Sequence, residues 1–554
     1  TIIPYGLVYD FDGDSDVDDT DAHWLMNWVK GYELGTTVKR EWLLDPIDHS
    51  VPAVLTAPGL PLWYFGTATT KQERDSFDQF RLANANRRAA VFVGSRSGML
   101  HAFDAGAFRH GDNACTLSVE ENRGYFDWGT NCAAGPDYGT GEEVWAFIPA
   151  NLLPRLKNNL LARLNKARST DYNQAYVDAS PALSDVYING AWRTVLLSAE
   201  GNGGDTVFCL DVTDPYHPTF LWEFADPDLF RSRSSPSIAK IGRIVLNGVA
   251  KWVAFFVSGN DDRYDRTQYP SVYMIDVGTG ELLNRIMLDC ESSGIGGVPS
   301  GQPAVIDSDG NGYIDRFYIG TDKGYLYKVN IPDDPSSLKY SISQCVINRD
   351  YSQTSGDSVP SDRRYQPIYG SPVVSVDNSV NESGTIDYKV RIFYGTGDSP
   401  YYAEDINMSG TRYYFFAYAD RAEKGTCNEG LVELDWFYEL PEGHRVFTSP
   451  FAPAGLIYFG TSTADTEDPC SSDSLSNNNG AVFVFNMDGP GPSGTPLFRQ
   501  TVGNVVASPM VEDQHLYVKG LGLGLQSFGT GIYNNQVLTG GWPEIGIRLW
   551  RELF

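Results

Sequence analysis

Short apolar runs rich in β-branched and aromatic residues recur along the chain, and each follows a turn that closes on a small or polar residue and proline. The turns are Ser50-Val51-Pro52, Ser180-Pro181, Ser235-Pro236, Gln302-Pro303, Ser371-Pro372, Ser449-Pro450 and Ser508-Pro509. The runs after them are Val91–Gly94, Val195–Leu197, Phe255–Gly259, Phe317–Gly320, Ile392–Gly395, Leu456–Gly460 and Leu516–Val518. Most of these end on glycine. A third run often follows a glycine-containing turn, as in Gly98–Asp104, Gly324–Val329 and Gly480–Phe485. Runs of this length and composition, bounded by turn residues, predict β-strands.

Seven copies of the pattern predict seven units of about four strands each. A single four-stranded sheet leaves both faces bare, whereas seven arranged radially bury each face against the next and leave only short edges. The expected fold is therefore all-β, a modified seven-bladed β-propeller over residues 45–554. A tandem of β-sandwiches would need separate cores and linkers, and no Pro/Ser-rich linker divides the repeats. Successive prolines lie mostly about 55 to 80 residues apart, so the loops are elaborated. The first unit is stretched, with 129 residues between Pro52 and Pro181. Within it, Leu152, Leu153, Leu156, Leu160, Leu161 and Leu164 recur at three-to-four spacing and predict an inserted helix over Asn151–Arg168, docked on the propeller by its leucine face. Residues 1–44 stand outside the repeat as a separate N-terminal segment, helical from Thr20 to Lys30.

Composition narrows the partners. Lys plus Arg is 42 against 70 Asp plus Glu, a net charge of −28. Such a surface repels phosphate backbones and anionic lipid heads, which argues against nucleic-acid binding. No apolar run approaches the roughly 18 residues of a membrane span. Thr1–Tyr5 do not form a basic region leading into an apolar one, so a signal peptide is expected to have been removed or to lie outside this sequence. The seven cysteines include no CxxC pair, which argues against zinc and thioredoxin-type chemistry. The expectation is three disulfides, Cys115–Cys132, Cys290–Cys345 and Cys427–Cys470, with Cys209 buried in a strand, as suits an exported protein. Spacing alone does not fix that connectivity, and seven reduced thiols are the alternative.

Two acidic loops carry the sharpest chemistry. In Asp307-Ser308-Asp309-Gly310-Asn311-Gly312-Tyr313-Ile314-Asp315, oxygen side chains stand at positions 1, 3, 5 and 9 with glycine at 4 and 6. That spacing wraps a short segment around a hard cation, and Asp307, Asp309, Asn311, the Tyr313 carbonyl and Asp315 are the predicted calcium ligands. The segment leads into a strand, and Tyr318 stands where an EF-hand would carry its bidentate glutamate. The plain alternative is a solvated Asp/Gly turn. The second loop, Asp10 to Asp21, places Asp10, Asp12, Asp14, Asp16, Asp18 and Asp21 at positions 1, 3, 5, 7, 9 and 12, ahead of an amphipathic segment. It looks like the calcium loop of dockerin-type half EF-hands, with Ser15 in place of the usual glycine. A second calcium ion is predicted there.

Catalytic constellations are not expected. The seven histidines form no HExxH or ligand pair, and neither a GxSxG elbow nor a Walker loop occurs. Asp48-His49-Ser50 are neighbours in sequence, which rarely form a triad, and Glu142-Glu143 read as a solvated blade loop. Phe103-Asp104-Ala105 followed by Gly141–Trp145 resembles the tryptophan-docking repeat of quinone-dependent dehydrogenases, which are also calcium-containing propellers. A good copy occurs about once, and their vicinal cysteine pair is absent. A quinone-dependent dehydrogenase is the alternative function on that architectural likeness.

The segments Trp42–Pro52, Val93–Asp104, Gly203–Pro215, Trp222-Glu223-Phe224, the 307–324 region, Gln366-Pro367-Ile368 and Gly395-Thr396-Gly397 together resemble the C-terminal domain of the PilY family, the type IV pilus biogenesis factors and tip adhesins. The resemblance runs from about residue 40 to 500, and Gly98–Asp104 with Leu210–Pro215 are its most specific pieces. It implies a non-enzymatic propeller exported to the cell surface and placed at the pilus tip. Calcium in the 307–315 loop would there help govern extension and retraction, with support for twitching motility and attachment. The implied partners are minor pilins of the tip complex and a host or abiotic surface. Adhesive loops could include Pro400-Tyr401-Tyr402 or Tyr413–Phe416, whose plain reading is blade strand. The adhesive N-terminal module common in the family is not part of this sequence.

Overall fold

In the computed structural model the described residues are 9–528, apart from 42, 48–49, 117–123, 165–176, 227–228, 230–237, 260–270, 291–293, 296, 300, 339–342, 348–365, 381–385, 398–411, 423, 426–430, 454, 464–476, 492, 513–514 and 522–523. They form seven successive antiparallel sheets, the blades of a β-propeller. Blade 1 holds Ala53–Leu55, Ala90–Gly94, Leu100–Asp104 and Glu143–Phe147; blade 2 holds Ala182–Ile188, Ala191–Ala199, Thr206–Asp211 and Thr219–Ala225. Blade 3 comprises Ile238–Leu246, Val249–Val257, Ser271–Asp276 and Leu282–Met287; blade 4 comprises Ala304–Ile306, Arg316–Gly320, Leu326–Asn330 and Ser343–Val346. Blade 5 contains Val373–Val380, Ile386–Gly395, Tyr414–Asp420 and Val432–Glu439. Blades 6 (Leu456–Gly460, Ala481–Asn486, Phe498–Thr501) and 7 (Met510–Glu512, His515–Gly520, Gly524–Phe528) show three strands each among the described residues.

The repeated turns open the blades. Pro52, Pro181, Pro303, Pro372 and Pro509 each immediately precede a first strand, where a missing N–H costs nothing. After Pro450 the first strand shrinks to a single bridge, Phe451 to Tyr458. Serines in these turns tie neighbouring blades together. Ser180 Oγ accepts from Val51 N at 2.9 Å, Ser371 Oγ from Gln302 N at 2.6 Å and Ser449 Oγ from Ser371 N at 2.9 Å. The closing glycines have an equally concrete cause. A Cβ on Gly94 would lie 2.2 Å from the Val177 carbonyl oxygen, and one on Gly460 2.2 Å from Val505 Cγ1, because the chain entering the next blade crosses there.

Alternation along the strands divides the core between successive interfaces. Phe256 packs with Val207 and Cys209 between blades 2 and 3, while its neighbour Phe255 packs with Phe317 and Ile319 between blades 3 and 4. Three of the third strands end on a buried aspartate that accepts from the N–H two residues on and takes a cation from its own blade. Asp104 pairs with Arg88 at 3.0 Å, Asp211 with Arg193 and Asp276 with Lys251.

Indole docking occurs three times among the described residues, although a good copy of the sequence motif occurs about once. Trp145 Nε1 donates to Pro215 O (2.8 Å), Trp222 Nε1 to Val277 O (2.8 Å) and Trp436 Nε1 to Met487 O (2.7 Å), each reaching the following blade. Trp222 lies against Gly280, where a Cβ would come within 2.7 Å of the ring. Trp222→Ala should therefore cost about 3–5 kcal/mol, measured by denaturant unfolding.

Helix α1 (Asp19–Val29) agrees with the expected N-terminal helix. The predicted insertion helix is a 3₁₀ turn over Ala150–Arg155 followed by α3 (Leu156–Arg163), the break coinciding with Pro154; 165–168 lie outside the described residues. Its leucines also divide: Leu152 packs between blades 1 and 2, whereas Leu160, Leu161 and Leu164 pack with Phe11, Trp24 and Trp28 of the N-terminal segment. Helix α2 (Lys71–Ala83) was not anticipated. It belongs to a strap, residues 56–89, inserted between the first two strands of blade 1.

Cys115–Cys132 is a disulfide and Cys209 is a buried thiol, as expected. The Cys290 side chain, Cys427 and Cys470 lie outside the described residues, so both other pairings do too. Tyr414–Phe416 are buried strand, agreeing with the plain reading, and 400–402 lie outside the described residues. No helix among the described residues is long and apolar enough to cross a membrane.

Candidate metal centre

The loop 307–315 joins the first two strands of blade 4. It brings Asp307, Asp309 and Asp315 together, one oxygen from each lying within 4.8 Å of the others. Local hydrogen bonds shape it. Asp307 accepts from Gly312 N (2.6 Å) and Asn311 N (3.1 Å), Asp309 from Asn311 N (3.1 Å), and Asn311 Oδ1 from Tyr313 N (2.8 Å). Asp315, 1% exposed, accepts from Ser308 N at 2.9 Å and from Ser308 Oγ. Gly310 and Gly312 have φ of +70° and +96°, a conformation that favours glycine.

Burial, with Asp309 adding its charge, pushes the Asp307 carboxyl up to about 6, against the N–H groups of Gly312 and Asn311. Burial would also raise Asp309, but the Lys424 ammonium 2.7 Å away outweighs it and holds that group below its ordinary range. The donor set is all oxygen, without thiol or imidazole, and suits a hard cation such as calcium. Because Asp307 must give up its proton to serve as a ligand, calcium affinity should weaken by about tenfold per pH unit below about pH 6. Linkage has the opposite sign for the metal-free fold: this raised acid favours folding most below its ordinary pKa of 3.8, and that contribution fades as pH rises through about 6. Calorimetric titration at pH 5, 6 and 7 checks the first statement.

Distant elements grip the loop. Thr67 N and Ala68 N of the strap donate to Gly310 O (2.9 Å) and Asn311 O (3.1 Å). Arg243 of blade 3 donates to Gly312 O at 3.2 Å, stacks over Tyr313 at 4.5 Å and over Trp63 at 4.7 Å, and pairs with Glu73 at 3.2 Å. Tyr388 of blade 5 donates its hydroxyl to Ser308 O at 2.7 Å. None of these was visible in the sequence, although Thr70 and Glu73 do form a capping box, a spacing that announces α2.

The N-terminal loop clusters Asp10, Asp12 and Asp21 within 4.8 Å. Ser15 takes φ +73°, the left-handed turn that glycine would normally supply, and its N–H donates to Asp10 at 2.8 Å. That hydrogen bond, opposed by desolvation, holds Asp10 below its ordinary range, while desolvation and the neighbouring acids push Asp12 up. Asp21 is buried and accepts from Phe11 N (2.5 Å) and Asp18 N (2.9 Å), closing the loop onto α1. Asp14, Asp16 and Asp18 are not in the three-acid cluster: Asp14 accepts from Asp16 N, and Asp18 caps α1.

With the propeller and its acidic loops in place, comparison with known proteins is decisive. The family described as the PilY1 beta-propeller domain matches residues 133–432, more than half of the chain. The chain belongs to the PilY1 propeller family. A type IV pilus biogenesis factor PilY1 homolog of Xylella fastidiosa is 26% identical over 537 residues, covering 85% of this chain and 31% of that protein. The type IV pilus biogenesis factor PilY1 of Pseudomonas aeruginosa PAO1 is 29% identical over 309 residues, covering 54% of this chain and 22% of that protein. The chain thus spans less than a third of the length of these relatives. The crystal structure of the P. aeruginosa PilY1 C-terminal domain superposes with a TM-score of 0.52 at 17% identity, covering 82% of this chain and 95% of that one. That likeness supports the propeller fold.

Within this PilY1-type propeller the Gly98–Asp104 segment has a structural use. His101 Nε2 meets Ser95 Oγ at 2.8 Å and Nδ1 meets Glu143 at 2.5 Å, so the turn 95–98 is pinned to the third and fourth strands of blade 1. Although the order serine, histidine, carboxylate has the form of a triad, Ser95 is only 1% exposed. A nucleophile must reach its substrate. Asp48 and His49 lie outside the described residues.

Proposed function

We propose that this chain is the propeller region of an exported type IV pilus biogenesis factor that works at the pilus tip as a docking platform. In this reading it supports the control of extension and retraction, twitching motility and attachment to surfaces, and it contacts minor pilins of the tip complex. The observation that carries the proposal is that the PilY1 family match over 133–432 encloses the acid cluster of Asp307, Asp309 and Asp315. Asp307, Asp309, Asn311, Asp315 and the Tyr313 carbonyl would hold one calcium ion, and the clustered Asp10, Asp12 and Asp21, joined by Asp14, Asp16 and Asp18 of the same loop, would hold a second. Calcium, when bound, supplies two positive charges to a turn that gathers carboxylates.

The chain's own residues do the rest. Thr67, Ala68, Arg243 and Tyr388 fasten the loop backbone to the strap and to blades 3 and 5. A loop ordered by its ligand would thereby favour one arrangement of these elements, and a partner preferring that arrangement is coupled to calcium by linkage.

The test is a deletion strain complemented with the full-length protein, labelled and located by microscopy. Restored pili and twitching, with label at pilus ends, are expected. Normal piliation in the deletion strain, or label never associated with pili, would overturn the reading. A quinone-dependent enzyme would instead show a quinone absorption band and cofactor-dependent turnover; the docking role predicts neither.

A further inference from the structure

Lys424 sits in the loop after the third strand of blade 5, 109 positions beyond Asp315 in the sequence (424 − 315), yet its ammonium lies among the acids of the blade 4 loop. Nζ is 2.7 Å from Asp309 Oδ2, 3.8 Å from Asp315 Oδ2 and 2.6 Å from Asp333 Oδ1. The lysine is about 20% exposed, while Asp333, which follows the third strand of blade 4, is 70% exposed. Two of its three carboxylate partners are thus predicted metal ligands, and the third, Asp333, lies outside the loop and pairs with the same ammonium.

We propose that Lys424 is a tethered counter-ion of the 307–315 loop: it neutralises the acid cluster when no divalent ion is bound and competes with calcium for Asp309 and Asp315. This inference rests on the calcium reading above. A positive charge about 4 Å from a divalent cation repels it by an amount that, even in a water-like medium, changes affinity by about tenfold or more. The competition therefore lowers calcium affinity. It also makes the ion's arrival a mechanical event for blade 5, because Lys424 must give up Asp309 and Asp315 when they turn to the metal. Sensing then spans two blades: the ligands belong to blade 4 and the competitor to blade 5.

The experiment compares wild type, Lys424→Met and Lys424→Arg in the full chain, each carrying Asp10→Ala and Asp12→Ala so that calorimetric titration with calcium chloride reports on the 307–315 loop. Thermal unfolding in a chelator is measured alongside. Lys424→Met should bind calcium about tenfold or more tightly and melt at lower temperature in chelator, while Lys424→Arg, which keeps the charge, should stay near wild type. The opposite signs separate this from a merely structural role, which would weaken both quantities. Calcium affinity unchanged or weakened in Lys424→Met, with wild type binding normally, would overturn the counter-ion proposal and leave the calcium reading standing. Binding in neither protein would overturn the calcium reading and this proposal with it, whereas binding only in Lys424→Met would support the competition in its strongest form.

Discussion

Asp420→Ala is expected to lower the stability of the protein by about 3–5 kcal/mol. Its carboxylate, wholly buried, accepts from Tyr318 OH at 2.7 Å and from Ala422 N at 2.9 Å, and faces Arg316 at 3.4 Å and Lys328 at 2.6 Å. Unlike the aspartates that end the third strands of blades 1 to 3, it takes its cations from the preceding blade. Arg316 also meets Asp315 at 3.2 Å, so two acids and two bases balance in a space from which water is excluded. Removing one acid strands a positive charge there, and an unpaired buried charge costs far more than a surface pair contributes. Denaturant unfolding measures it; a change below about 1 kcal/mol would mean that the cluster relaxes or hydrates freely.

The second large effect concerns the 307–315 loop, proposed to hold calcium, where two substitutions should part company. Asp307→Asn should weaken calcium binding by about a hundredfold or more while changing the metal-free fold little at pH 7, because losing one of the two oxygens that accept from Asn311 N and Gly312 N is offset by relief of the buried charge. Its carboxylate is costly to ionise in place, and an amide removes that cost. Asp315→Ala should lose calcium as well, but it also unpairs Ser308 N and one side of Arg316, and so destabilises the metal-free protein. Calorimetry and unfolding in chelator distinguish the two. Wild-type calcium affinity and motility in Asp315→Ala would remove that residue from the site.

What could be read from the chain was whatever is written locally. A proline before each first strand, a glycine where the next blade crosses, and acids at alternate positions of a tight turn are all contiguous, so the propeller and both acidic loops were legible. Docking tryptophans were undercounted because the interval from third-strand aspartate to indole varies, from Asp211–Trp222 to Asp104–Trp145. Position in space, not spacing, unites them. Arg243 and Lys424 could not be found at all, since nothing near residue 424 marks it as a neighbour of Asp309. The insertion helix was half legible: its leucine periodicity was real, but two different partners share the stripe.

The strap leaves blade 1, stacks Trp63 on Trp192 of blade 2 at 5.1 Å, meets Trp252 and Arg243 of blade 3, and ends its reach on the blade 4 loop. Repeating architectures ordinarily come apart one module at a time. Here a single belt is woven through four of them, so melting any one forfeits ring or hydrogen-bond contacts that the belt shares with the others. Under tension or in the presence of a protease, the first four modules should hold or fail together, and the last three, which the belt does not reach in the described contacts, should be the ones that yield alone.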